Sequence, residues 1–406
     1  MAEELSPFPS LKPSGRSYAV PIVLLACVVL SVVMAVVKPV PHGHRYAFAV
    51  ELSLGLFFIW MIYRVKPDWV LKKTFLAVLL AAGLAIGLSE FVTINPDAEI
   101  IHHYQNVFDD LRNGRNPYTS GLIIHRAEFL RPVYGNFNYP PLEILPYYTA
   151  YRLTGTWDVT IFLTTILILQ AIGALIFLRT FPSLKRRQLW PFIPLFLFAE
   201  IHNSSGMTFL LTALILWAIQ KEATRPRRGY RYAVAFFFGL GLMTKFLIIP
   251  LMAAFYWHEL DLRLPKKILA AASEAGIALG TAALVMLPFG IGPVFRNTIL
   301  FNIILKDRAA STTFFPNVLS GALSWVQAAW LYPILAVAIL AVAVGVAPRL
   351  DRYTAMLTAV FAFLIVAPTP RNQFLPTVFY LAIVGILAKL EKRGNVSAGL
   401  PLGARL

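Results

Sequence analysis

Residues Tyr18 to Val37 make a run of twenty without a single charged side chain. Coiled as a helix, such a run rises about 30 Å, the thickness of a bilayer's hydrocarbon core. Further apolar stretches follow: Tyr46–Tyr63, Thr74–Val92, Val159–Leu178, Tyr232–Tyr256, Ile268–Leu287, Leu323–Val346, Thr354–Val366 and Phe374–Ala388. In lipid every backbone N–H and C=O must bond inside the protein, which leaves helices and closed barrels as spanning elements. Barrel strands alternate apolar and polar positions, and these runs do not. The expected fold class is an all-α polytopic integral membrane protein with about 11–13 hydrophobic helices. Charge agrees, since only 14% of residues are charged, against roughly a quarter in soluble domains.

The net charge of +16 would suggest nucleic acid in a soluble protein. Here the basic residues stand in short connections: Arg64, Lys66, Lys72 and Lys73; Lys185, Arg186 and Arg187; Lys221 to Arg231; Arg263, Lys266 and Lys267; Arg349 and Arg352; Lys389, Lys392 and Arg393. That is the distribution of cytoplasmic loops under the positive-inside rule. The expected partner is therefore the lipid bilayer and not nucleic acid, and the expected location is the cell (inner or plasma) membrane. The single cysteine, Cys27, lies in the first run, so neither a disulfide framework nor a cysteine metal site is available. Residues 1–17 read as a cytoplasmic segment leading into an uncleaved signal anchor. Residues 18–393 read as one integral-membrane domain, and 394–406 as a cytoplasmic tail.

Alternation of the basic clusters puts two loops on the outer side, 93–139 and 288–318. The stretch Pro140–Tyr151 is too short to span and contains Glu143. A shallow or re-entrant helix there leaves Lys185–Arg187 inside, and is the preferred reading. Trp190–Ile201 and Met207–Ile219 read as half-length helices around a polar break at His202–Gly206. Tyr232–Tyr256 has basic clusters at both ends and Lys245 near its middle. It reads as a hairpin that starts and ends inside, with Lys245 at its tip.

The outer loop 93–139 is the largest polar investment in the chain. Ile100, Ile101, Tyr104, Val107, Phe108 and Leu111 follow the helical period, whereas His102, His103, Gln105, Asn106, Asp109, Asp110 and Arg112 lie largely off that stripe. Asn95 suits the N-cap, Pro96 the first turn and Gly114 the C′ position. The pattern predicts an amphipathic helix on the outer surface, with Asp109 and Asp110 on a solvated face. His102 and His103 are adjacent and point apart, so they do not form a metal pair. No ligand cluster stands out, no cofactor is expected, and a divalent metal is not demanded. Asp97 and Glu99 fall in the first turn, where they complement the helix dipole. The same field keeps a carboxylate ionised, the form a general base needs. Ionisable groups at membrane depth are expensive and usually functional. Lys245 is one, with snorkelling as its other explanation. Arg371, between prolines at a span's end, is a second, and Asn203 sits at the polar break. An acidic loop with deep cations suits an anionic lipid whose phosphate the cations hold.

Several of these residues form a pattern: Asp97, His103-Tyr104, Gly114-Arg115-Asn116-Pro117-Tyr118 and Phe137-Asn138-Tyr139-Pro140-Pro141-Leu142. The chain here resembles glycosyltransferase family 87, membrane enzymes of the GT-C class that use polyprenyl-phosphate sugars, typically mannose. The Asn203–Gly206 break, the Gly241–Phe246 segment and the Pro-rich turn at Pro368–Gln373 extend the resemblance over most of the chain from Asp97 onward. It departs from the family in the two spans before the one leading into the loop, and in lacking a Gly-Gln ahead of Asn203. The resemblance implies a GT-C-like bundle and a hexosyltransferase acting at the outer face with inversion. The donor would be a polyprenyl-phosphate sugar and the acceptor a glycolipid, glycan or protein. Asp97 would be the catalytic base, and Lys245 and Arg371 would hold the donor phosphate. Glu99, His103, Tyr104, Tyr118, Asn138, Tyr139 and Asn203 would be pocket residues. A transporter or flippase of lipid-linked sugars is the alternative from another class. Transporters often carry internal repeats, and none is visible in this sequence.

Overall fold

The computed structural model describes residues 71–92, 99–121, 123–124, 133–134, 136–198, 206–260, 265–299, 328–366 and 375–397. Asp97, Asn203 and Arg371, the first two spans assigned above and residues 398–406 of the tail lie outside these residues. Glu99 opens a helix, but its side chain is also outside the description.

Nearly all the described chain is helical. The helices are α1 (Lys73–Val92), α2 (Glu99–Arg112), α3 (Ile144–Thr154), α4 (Val159–Thr180), α5 (Ile193–Phe198) and α6 (Gly206–Thr224). They continue with α7 (Arg228–Leu242), α8 (Ile248–Glu259), α9 (Pro265–Met286), α10 (Ala328–Gly345), α11 (Arg352–Val366) and α12 (Leu375–Ser397). The only described strands are a two-residue antiparallel pair, Ile123–Ile124 against Val133–Tyr134. Two segments, Val159–Thr180 and Ile268–Phe289, are long and apolar enough to cross a membrane.

Close approaches at small residues fix how the helices run. Gly206 faces Ile166 and Leu169, and Gly173 faces the Phe209 ring and Ala213. Residue numbers rise together on both helices, so α4 and α6 are parallel. Gly239 lies against Ala278 and Thr281, and Arg231 pairs with Glu274, so α7 and α9 are parallel too. Helix α7 turns back into α8 within a few residues, where Thr244 Oγ1 donates to the Gly241 carbonyl at 2.7 Å. Helix α8 packs along α11, and α12 packs on α6 and α11.

One end of this bundle is closed by polar bonds. Buried Glu391 accepts from Ser183 Oγ at 2.5 Å and from Gln220 Nε2 at 2.6 Å. Gln220 Oε1 accepts from the Tyr353 hydroxyl at 2.7 Å. Arg352 bridges Glu259 and Glu222, and Lys389 reaches Asp351 at 2.8 Å. These bonds tie the ends of α4, α6, α8, α11 and α12 together, and a satisfied buried network of this kind fixes register. The opposite end is aromatic and carries α2, α3 and the apex between α7 and α8.

Several boundaries differ from the apolar runs. Helix α6 has 19 residues and is not half-length, because its helix continues through Lys221 and Glu222 after the apolar run stops. Helix α12 reaches Ser397, four residues into the stretch expected to be tail. Helical turns at Leu287–Phe289 and Ile291–Val294 stand where the second loop begins.

Candidate active site

Helix α2 forms as its apolar stripe requires. Ile101, Tyr104, Val107 and Phe108 are buried. The Trp157 indole N–H donates to the Ile101 carbonyl at 2.9 Å, anchoring α2 to the start of α4. The helix ends as Gly114 predicts, with φ of 67°. Gly114 N–H donates to Leu111 O at 3.2 Å and Arg115 N–H to Asp110 O at 2.8 Å. This is the paired Schellman closure, which needs a left-handed residue at C′.

The aromatic cluster covers more of α2 than the stripe implies. Phe137 and Tyr139 close one side, Tyr147, Tyr148 and Tyr151 another, and Trp157 and Phe162 a third. Two corrections follow. Asp110 is not on a solvated face: it is buried and pairs with Arg115 Nε at 2.7 Å. His103 is off the stripe yet buried, stacked on Phe137 at 4.9 Å with Tyr139 approaching at 5.8 Å. Among the described residues neither His103 ring nitrogen has a hydrogen-bond partner, and burial pushes its pKa down to about 4. His102 is exposed, so the two histidines do point apart.

The Gly114–Tyr118 turn is held from two sides. Asn116 Oδ1 accepts from Tyr118 N–H at 3.0 Å, an Asx-type closure, while its Nδ2 donates to Phe289 O at 2.7 Å. Asn297 Nδ2 donates to Tyr118 O at 2.8 Å. The Tyr118 hydroxyl donates to Tyr139 O at 2.7 Å, which joins the turn to the Tyr-Pro-Pro segment. Pro140 is extended and Pro141 opens the 3₁₀ turn Pro141–Glu143, the position where a missing N–H costs nothing. Helix α3 follows with 11 residues, about 16 Å of rise. It is the short helix expected for Pro140–Tyr151.

At this point the chain meets the α7–α8 apex. Leu142 N–H donates to Met243 O at 3.0 Å, and Leu142, Leu211, Met243 and Ala282 pack into one cluster. One residue past this joint lies Glu143, fully buried, and two residues past Met243 in the α7–α8 turn lies Lys245, 4% exposed. Lys245 Nζ stands 5.4 Å from the centre of the Tyr139 ring, within cation–π range. The phenols of Tyr118 and Tyr147 are both pushed well up, first by burial and then by the Glu143 charge, so the carboxylate lies among them. Its burial inside protein argues against snorkelling for Lys245, because its head group is not at a solvent boundary.

The structure thus brings His103, Tyr104, Tyr118, Asn138, Tyr139 and Lys245 to one end of the bundle. Glu143 belongs with them and was noted in the sequence only as a charge in a short run. Its signal was an isolated carboxylate between Leu142 and Ile144, costly unless used or neutralised. Among the described residues no three of His, Cys, Asp and Glu converge to hold a metal ion. No family model matches the chain, and searches of the curated proteins and of the solved structures return no match.

Proposed function

We propose that this is a multi-pass membrane glycosyltransferase that moves a hexose, mannose in the typical case, from a polyprenyl-phosphate donor to a glycan, glycolipid or protein acceptor. The observation that carries the proposal is Lys245: a buried cation at a hairpin apex, set against the Tyr139 ring of the Tyr-Pro-Pro segment. The resemblance links these same two elements to lipid-phosphate sugar transfer.

The membrane part rests on surface and charge. Large apolar side chains face outward on α1, α4, α9 and α10, among them Leu88, Ile168, Leu175, Leu284 and Val337. Water tolerates such faces poorly. The basic residues gather at the polar-network end, at Lys185–Arg187, Arg225–Arg231, Arg349–Arg352 and Lys389. Under the positive-inside rule that end is cytoplasmic, and the aromatic end faces outward. Helices α7 and α8, with 15 and 12 residues, rise about 22 and 18 Å, short of a full bilayer. Their apex then lies at depth, where the Pro141–Glu143 turn descends to meet it. A lipid phosphate entering from the outer leaflet reaches that level.

In the proposed reaction Asp97 takes the proton of the acceptor hydroxyl. The hydroxyl oxygen bonds to the anomeric carbon from the side opposite the phosphate. The bond from that carbon to the phosphate oxygen breaks, its electron pair leaving with the polyprenyl phosphate, and the configuration inverts. Lys245 and Arg371 offset the charge that grows on the leaving phosphate, the kind of interaction worth about 10²–10³ in rate per donor. To test this, purified protein in nanodiscs is given polyprenyl-phosphate mannose and a panel of glycan and glycolipid acceptors. Wild type turns over and Asp97→Asn loses about 10²-fold or more. Undiminished transfer by Asp97→Asn removes Asp97 as base. Absence of turnover with every lipid-linked sugar, together with movement of those lipids between leaflets, replaces the enzyme by a flippase.

A further inference from the structure

His103 is the feature that the proposed chemistry leaves over. It lies 6% exposed on α2, and both ring nitrogens lack a hydrogen-bond partner among the described residues. Buried polar groups are nearly always satisfied, and an exception calls for an explanation. The neighbours do not supply one. Phe137 lies across the ring's face at 4.9 Å, only 25° from parallel, and Tyr139 meets it nearly edge-on at 72°. An imidazole's donor and acceptor lie in its plane, so the stacked ring leaves them unused. Burial keeps the ring neutral far below physiological pH. In that form it offers one N–H and one lone pair, the complement of a hydroxyl, which accepts and donates. A phosphate would want two donors and a positive charge, and a metal would want a set of ligands, whereas no three of His, Cys, Asp and Glu converge among the described residues. The ring's position is telling as well. The Tyr139 ring lies 5.8 Å from the His103 ring and 5.4 Å from Lys245 Nζ. Whatever holds a phosphate at Lys245 has His103 one aromatic ring away, behind a partly exposed shell of Asn106, Asn138 and Tyr139.

We infer that His103 binds a hydroxyl of the donor's sugar ring, so that the site has a cationic half for the lipid phosphate and a neutral aromatic half for the sugar. This rests on the lipid-linked-sugar reading above. It gives His103 a role in substrate selection: sites built to bond a hydroxyl reject ligands that lack it, because their own polar groups are then left unpaired.

The test is a binding comparison that needs no turnover. Wild type, His103→Phe and His103→Gln in nanodiscs are titrated with polyprenyl-phosphate mannose and with bare polyprenyl phosphate. Wild type binds the sugar-bearing lipid more tightly. His103→Phe keeps the aromatic packing, binds bare polyprenyl phosphate as wild type does, and loses about tenfold or more of the preference for the sugar. His103→Gln, which retains a donor and an acceptor, keeps part of it. A His103→Phe protein with the full wild-type preference overturns the role of His103 and leaves the glycosyltransferase reading standing. Wild type that binds neither lipid overturns both.

Discussion

Acidification should weaken this fold through His103, and the size of the effect follows from its surroundings. An unperturbed histidine titrates near pH 6.5, and burial brings His103 down to about 4 in the folded protein. Between those values the unfolded chain binds a proton that the folded chain does not. Stability from the neutral buried ring is therefore complete above pH 6.5 and is lost as pH falls toward 4. Each pH unit corresponds to about 1.4 kcal/mol, so the whole window is worth about 3 kcal/mol. The assay is thermal unfolding in detergent micelles from pH 7.5 to 4.5, with wild type and His103→Phe measured side by side. Other titrating groups act alike in the two proteins and cancel in the difference. The wild-type midpoint falls several degrees further than that of His103→Phe over this range. Parallel curves would show that His103 is hydrated or partnered in solution, and would refute the reasoning.

Substituting Gly114 by Ala forces a Cβ into the left-handed region at φ 67° and costs about 1–2 kcal/mol, read as faster proteolysis near residue 114; Gly114→Asn costs less. At Gly239 a Cβ would collide with the Ala278 carbonyl oxygen, so Gly239→Val pushes α7 from α9 and costs about 1–3 kcal/mol, seen as a lowered melting temperature. Lys245→Met lowers donor turnover about 10²–10³-fold with little change in melting temperature, and Lys245→Arg restores part of it; wild-type rates in the methionine variant would remove Lys245 from the phosphate site.

How far the sequence could be read varies with the range of the interaction. The closure of α2 at Gly114 was legible because a Schellman turn is local: a helical run, then a glycine. The α7–α8 apex at Lys245 was legible from basic clusters at both ends of one apolar run. The burial of His103 and Asp110 was not. A helical stripe marks the side facing one neighbour, whereas α2 is wrapped on three sides by rings from Phe137–Tyr139, Tyr147–Tyr151 and Trp157–Phe162. Asp110 left a faint signal in Arg115, which the chain reversal at Gly114 swings back onto it. Glu143 became visible as a site residue only when Leu142 was found bonded to Met243, a contact across about a hundred residues of chain. The length of α6 was underread because Lys221 and Glu222 end the apolar run but not the helix.

The most direct measurement of the central claim is the fate of the anomeric carbon. Purified protein receives polyprenyl-phosphate mannose of known configuration with a competent acceptor, and the product is examined by NMR at the new glycosidic bond. The expected result is a mannosylated product of inverted configuration, one polyprenyl phosphate released per bond formed, and no such product from Asp97→Asn. A product of retained configuration, or wild-type protein that leaves every lipid-linked sugar intact, would contradict it.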